Sequence, residues 1–268
     1  MGASVISRRR ARQGLASRRP TWFAGVVHRA FPRFATLSSM STAPVLIASP
    51  PRPRIPSAIL LISPLAVILL GHLIARVATA IHPPTAWVAV AFAYWGAMWL
   101  VIALSTGREQ RRRWWAPAAR RPWWVIPAAV ALGVFPMAGI LLLNLHVVAE
   151  HAALIAPWLV FAAVNPIVEE AYWRGALADA TAAWPAWAAG AYSTALFVAS
   201  HPLMWGVFSE GNRSPMLYAS LTLMGAAWFA MRRVTGSLRW ATLSHALVDI
   251  GNLSVFVFVN AYVPPALH

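Results

Sequence analysis

The chain contains no cysteine and no lysine, and only 7 of its 268 residues are acidic. Without cysteine there is no disulfide, no thiolate metal site and no cysteine nucleophile, so any chemistry comes from other side chains. Charge as a whole is scarce: 11% of residues are charged and 59% hydrophobic. A soluble domain carries roughly 25% and 45–50% respectively. That balance excludes an ordinary water-soluble globule and leaves a multi-pass membrane protein.

All 22 basic residues are arginine, and no acid precedes Glu109. The excess of +15 would suit nucleic acid, but the arginines are placed for another purpose. Residues 1–56 hold ten of them, with serine and proline and no sustained apolar period, and read as a flexible cytoplasmic tail. The Arg8-Arg9-Arg10 run lacks a following apolar core and cleavage site, so it is not a signal peptide. Met40 is an alternative start, and the stretch Thr21 to Ala30 reads as a loose segment.

A spanning helix needs about 20 mostly apolar residues. Seven segments meet that need: Ser57–Ala80, Ala86–Leu104, Trp123–Leu145, Ala152–Ala178, Trp184–Met204, Pro215–Met231 and Trp240–Ala261. The expected fold is therefore an all-α, polytopic bundle of about seven spans over residues 57–268. Internal prolines such as Pro64, Pro136 and Pro166 are tolerated where neighbouring groups re-satisfy the freed carbonyls. Trp114–Trp115 and Trp123–Trp124 suit the boundary between water and lipid. With the tail inside, 19 of the 22 arginines fall on one side, in the tail, in Ser105–Pro122 and in Arg232–Arg239. The positive-inside bias then places the N-terminus in the cytoplasm and leaves no nucleic-acid partner to explain. No internal repeat of the secondary-transporter kind is visible. Arginine in place of lysine, with abundant alanine, fits a GC-rich bacterial genome.

Charge inside a span costs on the order of 2.5–3.5 kcal/mol per group even on the mildest scale. The fourth segment nevertheless reads Asn165-Pro-Ile-Val-Glu169-Glu170-Ala-Tyr-Trp-Arg174. Glu170 and Arg174 lie about 40° apart on a helix and suit a structural ion pair, whereas Glu169 is about 140° from Arg174 and points elsewhere. The fifth segment carries Phe197-Val-Ala-Ser-His201 and the seventh His245-Ala-Leu-Val-Asp249, with Asn252 on the same face at i+7. A single histidine in an apolar helix is ordinarily a satisfied core residue, and His72 reads as one. Two histidines sharing spans with buried acids call for mutual pairing. A second group, His146, Glu150 and His151, falls between two spans and reads as interfacial polarity. Glu210 and Arg213 read as a solvated loop.

These three motifs, in this order, resemble the CPBP intramembrane proteases, also called the CAAX-protease or abortive-infection group, which includes the Rce1-type prenyl-protein endopeptidases. The resemblance covers about residues 155–256; the first 120 residues share only hydrophobicity. It implies hydrolysis of a peptide bond within the membrane, with Glu169 as general base, His201 helping to hold the water, and His245 with Asp249 facing the developing oxyanion. Glu170, Arg174, Phe197 and Asn252 would support them. The chemistry is coherent, because preorganised donors stabilise a tetrahedral intermediate. Asp249 stands where many prenyl-protein endopeptidases have Asn. An ionised carboxylate accepts hydrogen bonds and does not donate them, so the expectation is that Asp249 orients His245 or binds a metal.

Two mechanisms stay open. Glu169, His201 and His245 make a two-His, one-carboxylate set for zinc with an open fourth position. No compact His-Glu-x-x-His signature is present, so metal-free activation stands beside it. The substrate is a peptide or protein entering from the membrane or the cytoplasm. A non-catalytic scaffold or bacteriocin-immunity-type protein of the same fold is the alternative, and an ion or proton carrier a third. Helix rise alone puts Glu169 roughly 14–17 Å, His245 roughly 8 Å and His201 roughly 25 Å from the cytoplasmic ends of their spans, depths that do not meet.

Overall fold

The computed structural model describes residues 57–118 and 121–265. The basic segment 1–56, with Met40 and Thr21–Ala30, lies outside the described residues. Those described form helices and no strand. In chain order they are α1 Ser57–Ile81, α2 Ala86–Ser105, α3 Arg108–Trp114, α4 Val125–Pro136, α5 Leu145–Glu150, α6 Ile155–Glu170, α7 Leu177–Ala180, α8 Ala186–Leu203, α9 Pro215–Thr235, α10 Arg239–Gly251 and α11 Ser254–Phe258. A π-helical turn, Met137–Leu141, follows α4, and a second, Ala171–Ala176, joins α6 to α7.

Four stretches have the length and apolarity to cross a membrane: Ser57–Ile81, Pro83–Ser105, Val125–Glu150 and Ala152–Ala180. Their outer faces show why. On α2, Val90, Ala91, Tyr94, Met98 and Ile102 are buried at helical spacing, while Phe92, Trp99 and Leu100 on the opposite side are exposed. A helix apolar on its outer as well as its inner face is built for lipid. The three later expected spans form α8, α9 and α10, which are shorter or more polar. The seventh expected span, Trp240–Ala261, is not one helix: it stops at Gly251 and restarts at Ser254 after Leu253, whose φ of 58° is left-handed. That break is tolerated because Leu253 is fully buried in protein and away from lipid.

Pro64 shows how internal prolines are accommodated. Its missing N–H would leave the Leu60 carbonyl unpaired, and the Ser63 hydroxyl donates to that oxygen at 2.7 Å. Ser63 Oγ also meets Tyr172 Oη at 2.7 Å, which ties α1 to the second π turn.

The packing puts α6 at the centre. It lies against α2 and α10; α1 packs on α2, α4 on α10, and α8 on α9. At one end the two arginine-bearing connections meet. Arg239 Nε donates to the Trp115 carbonyl at 2.7 Å and Leu238 N to Trp114 O at 2.8 Å. Asp179 gathers Gln110 Nε2 at 2.8 Å, Trp114 Nε1 at 2.8 Å and Arg232 Nη2 at 3.1 Å. Trp114, expected at the lipid boundary, is itself 1% exposed, its indole N–H donating to the half-buried Asp179 carboxylate. Gly236, at φ 69°, ends α9 with the left-handed turn that only glycine adopts freely.

Candidate active site

Glu169 and Glu170 are the last two residues of α6, both buried, and they face different neighbours as helical geometry requires. Glu170 Oε1 accepts from Arg174 Nη1 at 2.9 Å, so the i, i+4 ion pair survives the π turn between them. The same oxygen lies 3.0 Å from His245 Nδ1 on α10. A carboxylate accepts, so Nδ1 carries the proton and His245 Nε2 is the nitrogen left to act. That nitrogen lies 3.4 Å from Glu169 Oε2 and 3.9 Å from Asp249 Oδ1. The residue orienting His245 is therefore Glu170, where Asp249 had been expected. At 3.9 Å Asp249 is too far for a hydrogen bond, and Glu170 is also more than the ion-pair partner of Arg174.

Glu169 is held from two sides. Tyr94 Oη on α2 donates to Oε1 at 2.7 Å, and Asn165 Nδ2, one turn earlier on α6, donates to Oε2 at 3.2 Å. The Asn165 amide reaches Asp249 Oδ2 at 3.2 Å as well, while Trp95 Nε1 donates to its Oδ1 at 2.9 Å. The tryptophan fixes which way the amide faces. Its NH2 then lies between two carboxylates that would otherwise repel.

His201, near the end of α8, places Nδ1 3.0 Å from the Phe197 carbonyl. A carbonyl only accepts, so Nδ1 carries the hydrogen and Nε2 keeps a lone pair. Phe197 stands edge-on to both histidines, with centroids 5.0 Å from His201 and 6.2 Å from His245. Trp228 of α9 stacks flat on His245 at 4.3 Å. The Arg174 guanidinium lies 4.3 Å from the Phe197 ring centre and 5.3 Å from that of Trp228. Gly225 leaves room for it: a Cβ there would come within 3.1 Å of Arg174 Nη2.

Glu169, His201, His245, Asp249 and Asn252 all line one cavity of about 400 Å³. Glu170, Arg174 and Phe197 stand behind that lining. The depth mismatch expected from helix rise is not seen, since Glu169, His201 and His245 line the same cavity. Among the described residues, no three of His, Asp and Glu are placed to close on one ion, so the set Glu169, His201 and His245 is not assembled as zinc ligands here.

The family described as Type II CAAX prenyl endopeptidase, Rce1-like, matches residues 151–251. Over those residues the chain is similar to the Rce1-like family. No curated protein and no solved structure matches the chain. The Rce1-like match spans all three motifs, from α6 to the end of α10, and belongs to a protease family, which supports a hydrolase. Together with the four apolar helices, it supports a membrane protein.

The site is completed by residues outside the three motifs. Asn165, four before Glu169, was legible by the same spacing argument that paired Glu170 with Arg174. Tyr94 and Trp228 had no such signal, since aromatic residues are common in membrane helices. Asn252 follows the last turn of α10 and does not lie within it, as the helix stops at Gly251. His72 Nδ1 lies 2.6 Å from the Leu203 carbonyl and has no part in the site. His146, Glu150 and His151 are exposed and take no part in the cavity lining. Glu210 and Arg213, read as a solvated loop, are both exposed, and Arg213 donates to the Gly206 and Val207 carbonyls, closing the turn after α8.

Proposed function

We propose that this protein is an integral-membrane endopeptidase that hydrolyses a peptide bond with water activated by Glu169 and His201. The observation that carries the reading is the convergence of Glu169, His201 and His245, from three helices, on one mostly apolar cavity. Water held there gives one hydrogen to Glu169 and the other to the lone pair of His201 Nε2, which aims its oxygen at the scissile carbonyl carbon. Glu169 takes the proton as the C–O bond forms, and His245, protonated, offers Nε2–H to the carbonyl oxygen as it becomes an oxyanion. Collapse of the tetrahedral intermediate breaks the C–N bond, and Glu169 passes its proton to the leaving amine. Glu170 holds His245 through Nδ1, and Asp249, drawn to Asn165, flanks the site.

The bundle is read as seven spans over residues 57–268 with the N-terminus in the cytoplasm of a bacterial cell, the arginines on the inner face. The substrate is a peptide or membrane protein, reached from the bilayer or the cytoplasm. The intact water-activating set favours catalysis over a scaffold or immunity-type role, because a scaffold gains nothing from a buried Glu169 opposite two histidines. Zinc on Glu169, His201 and His245 is the second reading. Both imidazoles are tied back through Nδ1, which suits metal ligands, but the donor set is not gathered on one point.

The test is peptide cleavage by purified protein in lipid nanodiscs. Glu169→Gln should lower kcat by at least about 10³-fold, the scale of losing an essential general base. Full activity in Glu169→Gln, or cleavage that persists in every variant of the three residues, removes the reading.

A further inference from the structure

Three residues that line the cavity, Ser214, Asn252 and Ser254, each carry a side-chain oxygen that is buried and has no hydrogen-bond partner: Ser214 Oγ, Asn252 Oδ1 and Ser254 Oγ. A buried hydroxyl or amide without a partner costs on the order of 1–3 kcal/mol, so three such groups gathered on one cavity wall favour a polar partner that enters the cavity. Each stands where the backbone changes direction. Ser214 occupies the N-cap of α9, a position at which serine ordinarily bonds the helix's own first N–H groups, yet its side chain makes no such bond. Asn252 and Ser254 flank the left-handed Leu253 in the break between α10 and α11. An unbroken helix over this stretch would turn residues 252 and 254 about 200° apart, onto different faces. The break brings both to the same cavity.

None of the three belongs to the water-activating cluster. The wall around them is largely apolar, with Leu217, Val257 and Phe258 among its members. An apolar channel with a few hydroxyl and amide groups, some of them donors and some acceptors, suits an extended polypeptide. Such a ligand offers one N–H and one C=O per residue whatever its sequence, and its apolar side chains fill the remaining space.

We propose that Ser214, Asn252 and Ser254 form a subsite that binds the main chain of an extended, apolar peptide next to the catalytic group. Asn252 Oδ1 accepts a peptide N–H, and the two serine hydroxyls donate to peptide carbonyls. The subsite rests on the endopeptidase reading for its purpose, but not for its test.

The test uses the full chain in nanodiscs, with a library of fluorogenic, capped apolar decapeptides as probe. Ser214→Ala and Ser254→Ala remove single oxygens from the wall, and Ser105→Ala removes a buried, unpartnered hydroxyl that lies outside the cavity. Each cavity variant should raise KM about three- to tenfold, the worth of one neutral hydrogen bond, with kcat changed less than about twofold. Ser105→Ala should leave both unchanged. Asn252→Leu should weaken amide peptides, yet add nothing to the weaker binding of a depsipeptide whose ester replaces the recognised N–H. In Glu169→Gln, binding of the same peptides is read by fluorescence polarisation. Cleavage with KM unmoved in every cavity variant overturns the subsite and leaves the peptidase standing. Binding that falls in the cavity variants, with no cleavage by the native protein, keeps the subsite and overturns the peptidase. Absence of peptide binding to Glu169→Gln overturns the subsite.

Discussion

Arg174 is the point at which the electrostatics of the bundle are most exposed to test. Its side chain is fully buried, its Nη1 is paired with Glu170 Oε1 at 2.9 Å, and Nε and Nη2 have no hydrogen-bond partner. The faces of Phe197 and Trp228 supply the rest of its surroundings. Arg174→Met keeps much of the volume and removes the charge. Glu170 then faces the protein interior with only His245 as counter-charge, and breaking a buried pair from one side costs about 3–5 kcal/mol. Two ring faces lose a cation, each worth about 0.5–2 kcal/mol where water is excluded. The single variant should therefore lose about 4–9 kcal/mol of stability. The double variant Arg174→Met with Glu170→Met removes both charges and should recover most of that loss, since an apolar pair of similar volume is often no worse than a buried ion pair. Reversible unfolding of both variants in mixed micelles measures the difference. A single variant within about 1 kcal/mol of the native protein, or a double variant no more stable than the single, refutes the reasoning. Activity separates structure from positioning: the double variant should stay folded but lose turnover, because His245 Nδ1 no longer has Glu170 to hold it.

Further outcomes follow from single contacts. Tyr94→Phe removes a donor to Glu169 and leaves Trp173 Nε1, 3.2 Å from Tyr94 Oη, without its acceptor; kcat should fall about 10-fold or more, as for a lost charge-assisted bond, and an unchanged kcat would detach Tyr94 from the base. Asp179→Asn replaces the acceptor shared by Gln110, Trp114 and Arg232 and should lower thermal stability by about 2 kcal/mol with kcat unaffected, read by Tm and turnover on one preparation. Treatment with a membrane-permeant chelator should leave peptide cleavage unchanged; loss of activity that added zinc restores would replace the metal-free mechanism with the zinc one.

How far the site could be read in advance differs residue by residue. Glu169, Glu170, Arg174, His201, His245 and Asp249 were visible because charge in an apolar segment is expensive and therefore rare. The Glu170–Arg174 pair was visible because it is local, one helical turn on one face. The hydrogen bond from His245 to Glu170 was not, since it joins residues 75 apart in sequence on two helices. Nor could composition show that Asp249 is drawn to Asn165, or that Tyr94 on a helix apolar on all sides donates to Glu169. The break at Leu253 was hidden as well, because a left-handed leucine in an apolar run leaves no mark on hydropathy.

What the sequence determined by itself was the solvent and the cast: apolar spans, arginine-rich connections, and a few ionisable groups that only function could justify. The tertiary structure decided who meets whom. It gave His245 to Glu170, set Asn165 between two carboxylates, and turned Asn252 and Ser254 toward one cavity. The physical reason is that hydropathy and helical period are properties of neighbours along the chain, whereas orientation of a catalytic group depends on contacts between helices far apart in sequence, and those exist only once the bundle has packed.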